Sequence, residues 1–250
     1  MLTNVEWKAW GKKDPLWGVA SWAGRERDGL NPWTDKEFYE LGADWLDFES
    51  VWRQTVGYEP GIVLEIGCGA GRITRMLAGT FAKVVATDVS ADMIAYARSR
   101  IKNENIDWQV SDGDILPPAD NSLDAVFSCH VFQHFSSNSA QLRIFKEMNR
   151  TLKPGGTFLV HLPIHIFPSR RFSMFARYGY AAFLSLTNGK AFLKRQMMKF
   201  GGKPHMRGIS YEMDKLFADL RSLGFHDIVV SIITVRTNGS LHPCVSGRKH

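Results

Sequence analysis

Three glycines at alternate positions, Gly67, Gly69 and Gly71, stand between an apolar run, Val63-Leu64-Glu65-Ile66, and a segment with helical spacing. Residues without a Cβ let the backbone turn tightly and come close to a ligand, so this pattern fits the junction of a buried strand and a helix. The order of signals after it supports that reading: strand over 62–66, helix over 71–77, strand over 84–87, helix over 91–101. Strands separated by helices must run parallel, and right-handed crossovers place helices on both sheet faces. Further strands are predicted at 108–110, 123–129 and 157–162, with a helix over 140–152 that stops before Lys153-Pro154-Gly155-Gly156. A helix over 211–223 and a strand over 228–235 follow, and Asn238-Gly239 predicts a hairpin into 241–245. The fold class expected is therefore α/β, a doubly wound, mostly parallel sheet of seven strands ending in an antiparallel strand.

Two regions break the alternation. Residues 1–58 hold seven of the eight tryptophans and read as an irregular, aromatic-rich arm followed by a helix that starts at Thr34-Asp35. Residues 163–208 read as a lid inserted after the fifth strand. No acidic residue lies between Glu147 and Glu212, whereas eleven lysines and arginines do, so the net charge of +6 comes from this one stretch. Its cations alternate with aromatics over 168–207, which fits a cover for an anionic or glycosidic acceptor, a peripheral membrane contact, or a solvated face. Three scattered cysteines supply neither a disulfide framework nor paired metal spacing, and a reducing, cytoplasmic setting is expected. No metal is expected.

Chemistry enters with three acidic positions. Glu65, in the first strand, would repel a pyrophosphate and suits a ligand with an ammonium group. Asp88, closing the next strand, can accept hydrogen bonds from a ribose diol. Asp114, in Ser111-Asp112-Gly113-Asp114-Ile115-Leu116, can hold an amino group beside apolar residues.

The runs VLEIGCGAGRITRMLA, ATDVS, DGDILPPADNSLDAVFSCHVFQHF and EMNRTLKPGGTFLVHLP together resemble the class I S-adenosylmethionine-dependent methyltransferases, of the type 11, small-molecule and quinone-biosynthesis kind. The resemblance covers about residues 60 to 162. It implies a Rossmann-like domain over 59–250 and S-adenosylmethionine as cofactor, with S-adenosylhomocysteine as product. Glu65, Gly67 and Gly69 would line the methionine end and Asp88 would bind the ribose, with Cys68, Gly71 and Arg72 also among the cofactor-binding residues of the turn. Val89, Met93, Asp114 and Ile115 would surround the adenine, and Cys129 would lie beside the cofactor. His130, His134 and His161 follow the fourth and fifth strands and are the candidate bases, His130 first, because an imidazole with its ordinary pKa of ~6.5 suits that task. The expected reaction is O-methylation of a small-molecule acceptor such as a sugar, polyketide or phenol. Two alternatives stay open: an RNA or protein methyltransferase using the basic segment, and a non-catalytic cofactor-binding subunit. Nucleic acid is disfavoured because Ser128-Cys129-His130-Val131 stands where an N-P-P-Y-type tetrapeptide would follow the fourth strand.

Overall fold

A computed structural model describes residues 2–166 and 209–250. The expected lid over 163–208, with its basic and aromatic stretch 168–207, lies outside the described residues except at 163–166. Arg150 and Lys153, two of the eleven clustered cations, are described, and both are already paired: Arg150 with Glu147 and Asp120, Lys153 with Asp124.

Seven strands form one sheet: β1 (Ile62–Ile66), β2 (Lys83–Asp88), β3 (Ile106–Val110), β4 (Leu123–Ser128), β5 (Leu152–His161), β8 (Phe225–Thr234) and β9 (Leu241–Lys249). Their order is β3-β2-β1-β4-β5-β9-β8, with the first five parallel and β9 antiparallel to both neighbours. Two short strands, β6 (Ile164–His165) and β7 (Tyr211–Glu212), pair separately. The reversal between β2-β1 and β4 opens a crevice at the carboxyl ends of the strands, where ligands of such sheets bind.

Alternation along β1 sorts side chains onto two cores: Val63 and Glu65 face one side, Leu64 and Ile66 the other. The first side is covered by α4 (Trp45–Thr55), α5 (Thr74–Thr80) and α6 (Ala91–Arg100), the second by α7 (Asn138–Thr151) and α8 (Met213–Ser222). Trp45, Phe48 and Trp52 from α4 all pack on Phe127 of β4 and are essentially inaccessible. Each such ring contributes roughly 1.5–3 kcal/mol by burial, which anchors the amino-terminal layer to the sheet. Trp52 is therefore a core residue and does not cover the crevice.

The amino-terminal arm is helical from its start, in α1 (Leu2–Lys13) and α2 (Pro15–Val19). Asp14 caps α2 by accepting the Trp17 N–H, and Pro15 occupies the first turn, where its missing donor costs nothing. Next comes α3 (Asp35–Glu40), which opens on a capping box between Thr34 and Glu37 and leads into a 3-10 turn over Leu41–Asp44. Helix α5 begins at Thr74 rather than 71, because Gly71 holds φ at 83°, outside the helical region.

Candidate active site

One cavity of about 820 Å³ opens over the carboxyl ends of β1, β2 and β4. Its first half is built by the glycine turn. The N–H groups of Gly67 and Cys68 both donate to the Thr87 carbonyl, which ties the loop after β1 to β2. Gly67 and Gly69 adopt φ of 73° and 54°. A Cβ on Gly67 would meet Val131 at 2.2 Å, and one on Gly69 would meet Val19 of α2 at 2.5 Å. Both glycines line the cavity. Gly71 does not: it serves packing, with Ile101, Ala97 and Trp108 where its Cβ would be.

Asp88, at the end of β2, also lines the cavity. Its Oδ2 accepts the Gly69 N–H at 2.9 Å and its Oδ1 the Ser90 N–H at 2.8 Å, which leaves each oxygen a further lone pair for a ligand hydroxyl. Burial pushes its carboxyl above the usual range, opposed by the backbone N–H groups of Ser90, Gly69 and Val89. Val89, Met93, Gly113 and Leu116 supply apolar or bare wall beside it. A nucleoside with a free ribose diol fits this donor-poor, carboxylate-bearing half, and a pyrophosphate does not.

Several residues expected at the ligand lie elsewhere. Asp114 pairs with Arg143 at 3.6 Å and Ile115 is largely exposed, so neither lines the cavity; Ser111, Gly113 and Leu116 represent that loop instead. Cys68 is buried behind the turn. Glu65 is buried against α5, where it accepts the Thr74 hydroxyl at 2.5 Å. Burial raises its carboxyl to about 7, Thr74 and Arg72 pull it back, and Asp88 adds to the rise. Glu65 therefore does not line the cavity.

The second half of the cavity carries the histidines. His130 and His134 line it, and His161 does not. His130 has φ at 61°, rare for a residue with a side chain, and its N–H donates to Nδ1 of His161 at 3.2 Å. The His130 ring sits 4.6 Å from that of His161 and 4.7 Å from that of His242, so three imidazoles touch. Burial pushes His130 well below its ordinary value, with His161, Arg72, His242 and His134 adding to the effect. Burial lowers His161 to about 3, and His242 falls for the same first reason. The ordinary pKa expected of His130 is therefore not what its surroundings give. His134 meets Trp7 of α1 edge to face at 4.8 Å, which closes the roof on that side.

Ligand atoms of Cys129, His130 and His161 lie within 4.8 Å of one another, a grouping that could hold a metal ion. Nδ1 of His161 already accepts the His130 N–H, and burial raises the Cys129 thiol to about 12, so the group stands as a hydrogen-bonded, uncharged cluster. Residues that sequence reading did not single out also line the cavity: Asn4 from α1, Asp44, and Ser240 and His242 after the Asn238-Gly239 turn. No local pattern marks them, because they converge only through tertiary structure.

Residues 64–160 match the family described as "Methyltransferase domain". Demethylmenaquinone methyltransferase of Tropheryma whipplei is 38% identical over 99 residues, 39% of this chain and 40% of that protein. The malonyl-[acyl-carrier protein] O-methyltransferase of Hahella chejuensis is 36% identical over 102 residues, 40% of this chain and 36% of that one. Each match therefore spans well under half of the curated relative. Among solved structures, a methyltransferase in complex with the Haloferax volcanii Trm112 methyltransferase activator superposes with a TM-score of 0.60, covering 98% of both chains at 17% identity, which speaks to the fold alone.

Proposed function

Because residues 64–160 match a methyltransferase domain, we propose that this chain is a class I S-adenosylmethionine-dependent methyltransferase and that it methylates an oxygen of a small-molecule acceptor held in the histidine-lined half of the cavity. The observation that carries the reading is the continuity of that cavity, from Asp88 and the glycine turn at one end to His130 and His242 at the other. Bound S-adenosylmethionine supplies an electrophilic methyl group on a sulfonium sulfur.

The residues divide the remaining work. Asp88 holds the ribose through its spare lone pairs, while Val89, Met93 and Leu116 flank the base. Trp7, Val19 and Trp22 roof the crevice and keep water from the reacting atoms. His130 is neutral at pH 7, so a ring nitrogen is free to take the proton that an acceptor hydroxyl gives up as its oxygen bonds to the methyl carbon. A ring pushed this far down is a weak base, which favours acceptors with acidic hydroxyls, such as phenols, enols or carboxylic acids, over simple alcohols. The relative named as an O-methyltransferase supports the choice of oxygen.

Methyl-labelled S-adenosylmethionine incubated with a panel of phenols, enols and carboxylic acids tests the reading. Label recovered in ether or ester products supports it; label recovered on carbon, or transferred to no member of the panel, rejects O-methylation.

A further inference from the structure

Arg72 is a buried cation with too few partners. Its side chain is only 10% exposed, yet among the described residues its guanidinium makes one hydrogen bond, from Nη1 to Oδ2 of Asp44 at 3.5 Å. Charge-assisted bonds of this kind normally span about 2.7–2.9 Å. Nε of Arg72 is buried and makes none. Asp44 is itself shared, since its Oδ1 accepts the Thr237 N–H at 3.2 Å. Five donors on one planar group cannot be met by half a carboxylate, and such a shortfall inside a protein costs stability unless another anion completes the set.

The shortfall is local. Six buried side-chain atoms lack partners among the described residues, and three of them, Arg72 Nε, Thr237 Oγ1 and His242 Nδ1, belong to residues joined through Asp44 or touching His130. Arg72, directly after the glycine turn, lines the cavity together with Asp44, Asn238, Ser240 and His242, and no other arginine or lysine among the described residues does. Asn238 spends its Oδ1 on the Ser240 N–H, which leaves its amide N–H groups as donors, and Ser240 bonds His242 Nε2 at 2.7 Å. The wall is thus rich in donors around one underpaired positive charge.

We propose that this corner recognises the methyl acceptor and that Arg72 binds an oxyanion on it, a carboxylate or a phosphate. The proposal rests on the methyl-transfer reading above. Arg72 then serves the acceptor and not the cofactor, and the hairpin between β8 and β9 becomes a specificity element. Substrates that carry the anion dock with it at Arg72 and present a second oxygen towards His130.

The cofactor's own carboxylate is the other anion within the cavity, so the test has two arms. In the first, calorimetry compares S-adenosylhomocysteine with 5′-methylthioadenosine, which has no carboxylate, on the wild-type chain and on Arg72→Met. Affinities unchanged within threefold support the proposal; selective loss of S-adenosylhomocysteine binding overturns it. In the second, protein saturated with S-adenosylhomocysteine is titrated with matched pairs, 4-hydroxybenzoate against its methyl ester and phenyl phosphate against phenol. The expected result is that at least one acid binds tenfold or more tightly than its neutral partner and that Arg72→Met removes the preference. No acid binding better than its partner overturns the proposal. Should Arg72→Met fail to fold, Asn238→Ala, on the exposed hairpin, replaces it and is expected to weaken acid binding at least threefold with an unchanged thermal midpoint; undiminished acid binding then counts against the proposal. Failure of the methyl-transfer reading shows separately, as a wild-type chain that does not bind S-adenosylhomocysteine at all.

Discussion

The carboxylate of Asp88 accepts the backbone N–H of Gly69 at 2.9 Å, so the acid that would hold the ribose also holds the loop that would admit the methionine end. One residue thus serves binding and preorganisation together. Replacing Asp88 with Ala removes the ligand contact and frees the loop, and the expected outcome is at least tenfold weaker binding of S-adenosylhomocysteine, about 1.4 kcal/mol. Calorimetry checks it. Asp88→Asn, which can still accept the Gly69 N–H, should lose less.

Glu65 predicts a pH dependence. Burial raises its carboxyl to about 7 from its ordinary value of 4.5. Its folded value lies above the unfolded one, so between about pH 4.5 and 7 the native chain keeps a proton that the unfolded chain releases. Stability contributed by this group is therefore full below that window and lost as pH rises through it, by on the order of 3 kcal/mol at most. Urea unfolding of the apoprotein at pH 5 and pH 8 should show the loss, and Glu65→Gln should reduce it. A cationic cofactor favours the ionised carboxylate, so binding should release protons near pH 7 and tighten as pH rises.

His130 predicts a second, opposite kind of profile. Its ring is neutral well below pH 6.5, so any turnover that depends on it stays flat from pH 6.5 upward and does not fall as a free imidazole would on the acid side. His130→Ala should lower turnover at least tenfold with cofactor affinity unchanged. The φ of 61° gives an internal control: His130→Gly should melt no lower than His130→Ala, because glycine accepts that backbone conformation without strain.

How far the sequence revealed this site depends on where each half comes from. Glu65, Gly67, Gly69 and Asp88 lie within 24 residues on two adjacent strands, so strand pattern and turn chemistry place them together. Helical spacing places the start of α5 three residues early because it says nothing of the positive φ at Gly71. Asp44, Arg72 and His242 meet across more than 150 residues, through the seating of β9 between β5 and β8. A lone histidine after a hairpin carries no local mark of that convergence. Helix α1 was hidden for a different reason: it lacks a continuous apolar stripe and docks on α6 through Gly11, which comes against Ser90.

Gly69 and Gly71 lie two residues apart, have similar φ, and should respond differently to alanine. At Gly69 the new Cβ would sit 2.5 Å from Val19 Cγ2, at the roof of the cavity. Relief requires the Val19 side chain or α2 itself to move at the cavity roof, so Gly69→Ala should weaken S-adenosylhomocysteine binding at least tenfold. At Gly71 the Cβ would sit 2.6 Å from Ile101 Cδ1 and 3.1 Å from Ala97 Cβ, in the packing between the turn and α6. Overpacking there costs roughly 1–3 kcal/mol, so Gly71→Ala should lower the thermal midpoint more than it lowers affinity. Val19→Ala added to Gly69→Ala separates clash from backbone strain: it should restore part of the binding, and the remainder measures the cost of holding an L-residue at φ of 54°. Thermal melts and calorimetry on the three variants check the assignment, and equal losses of stability and affinity at both glycines would mean that the turn acts only as a structural corner.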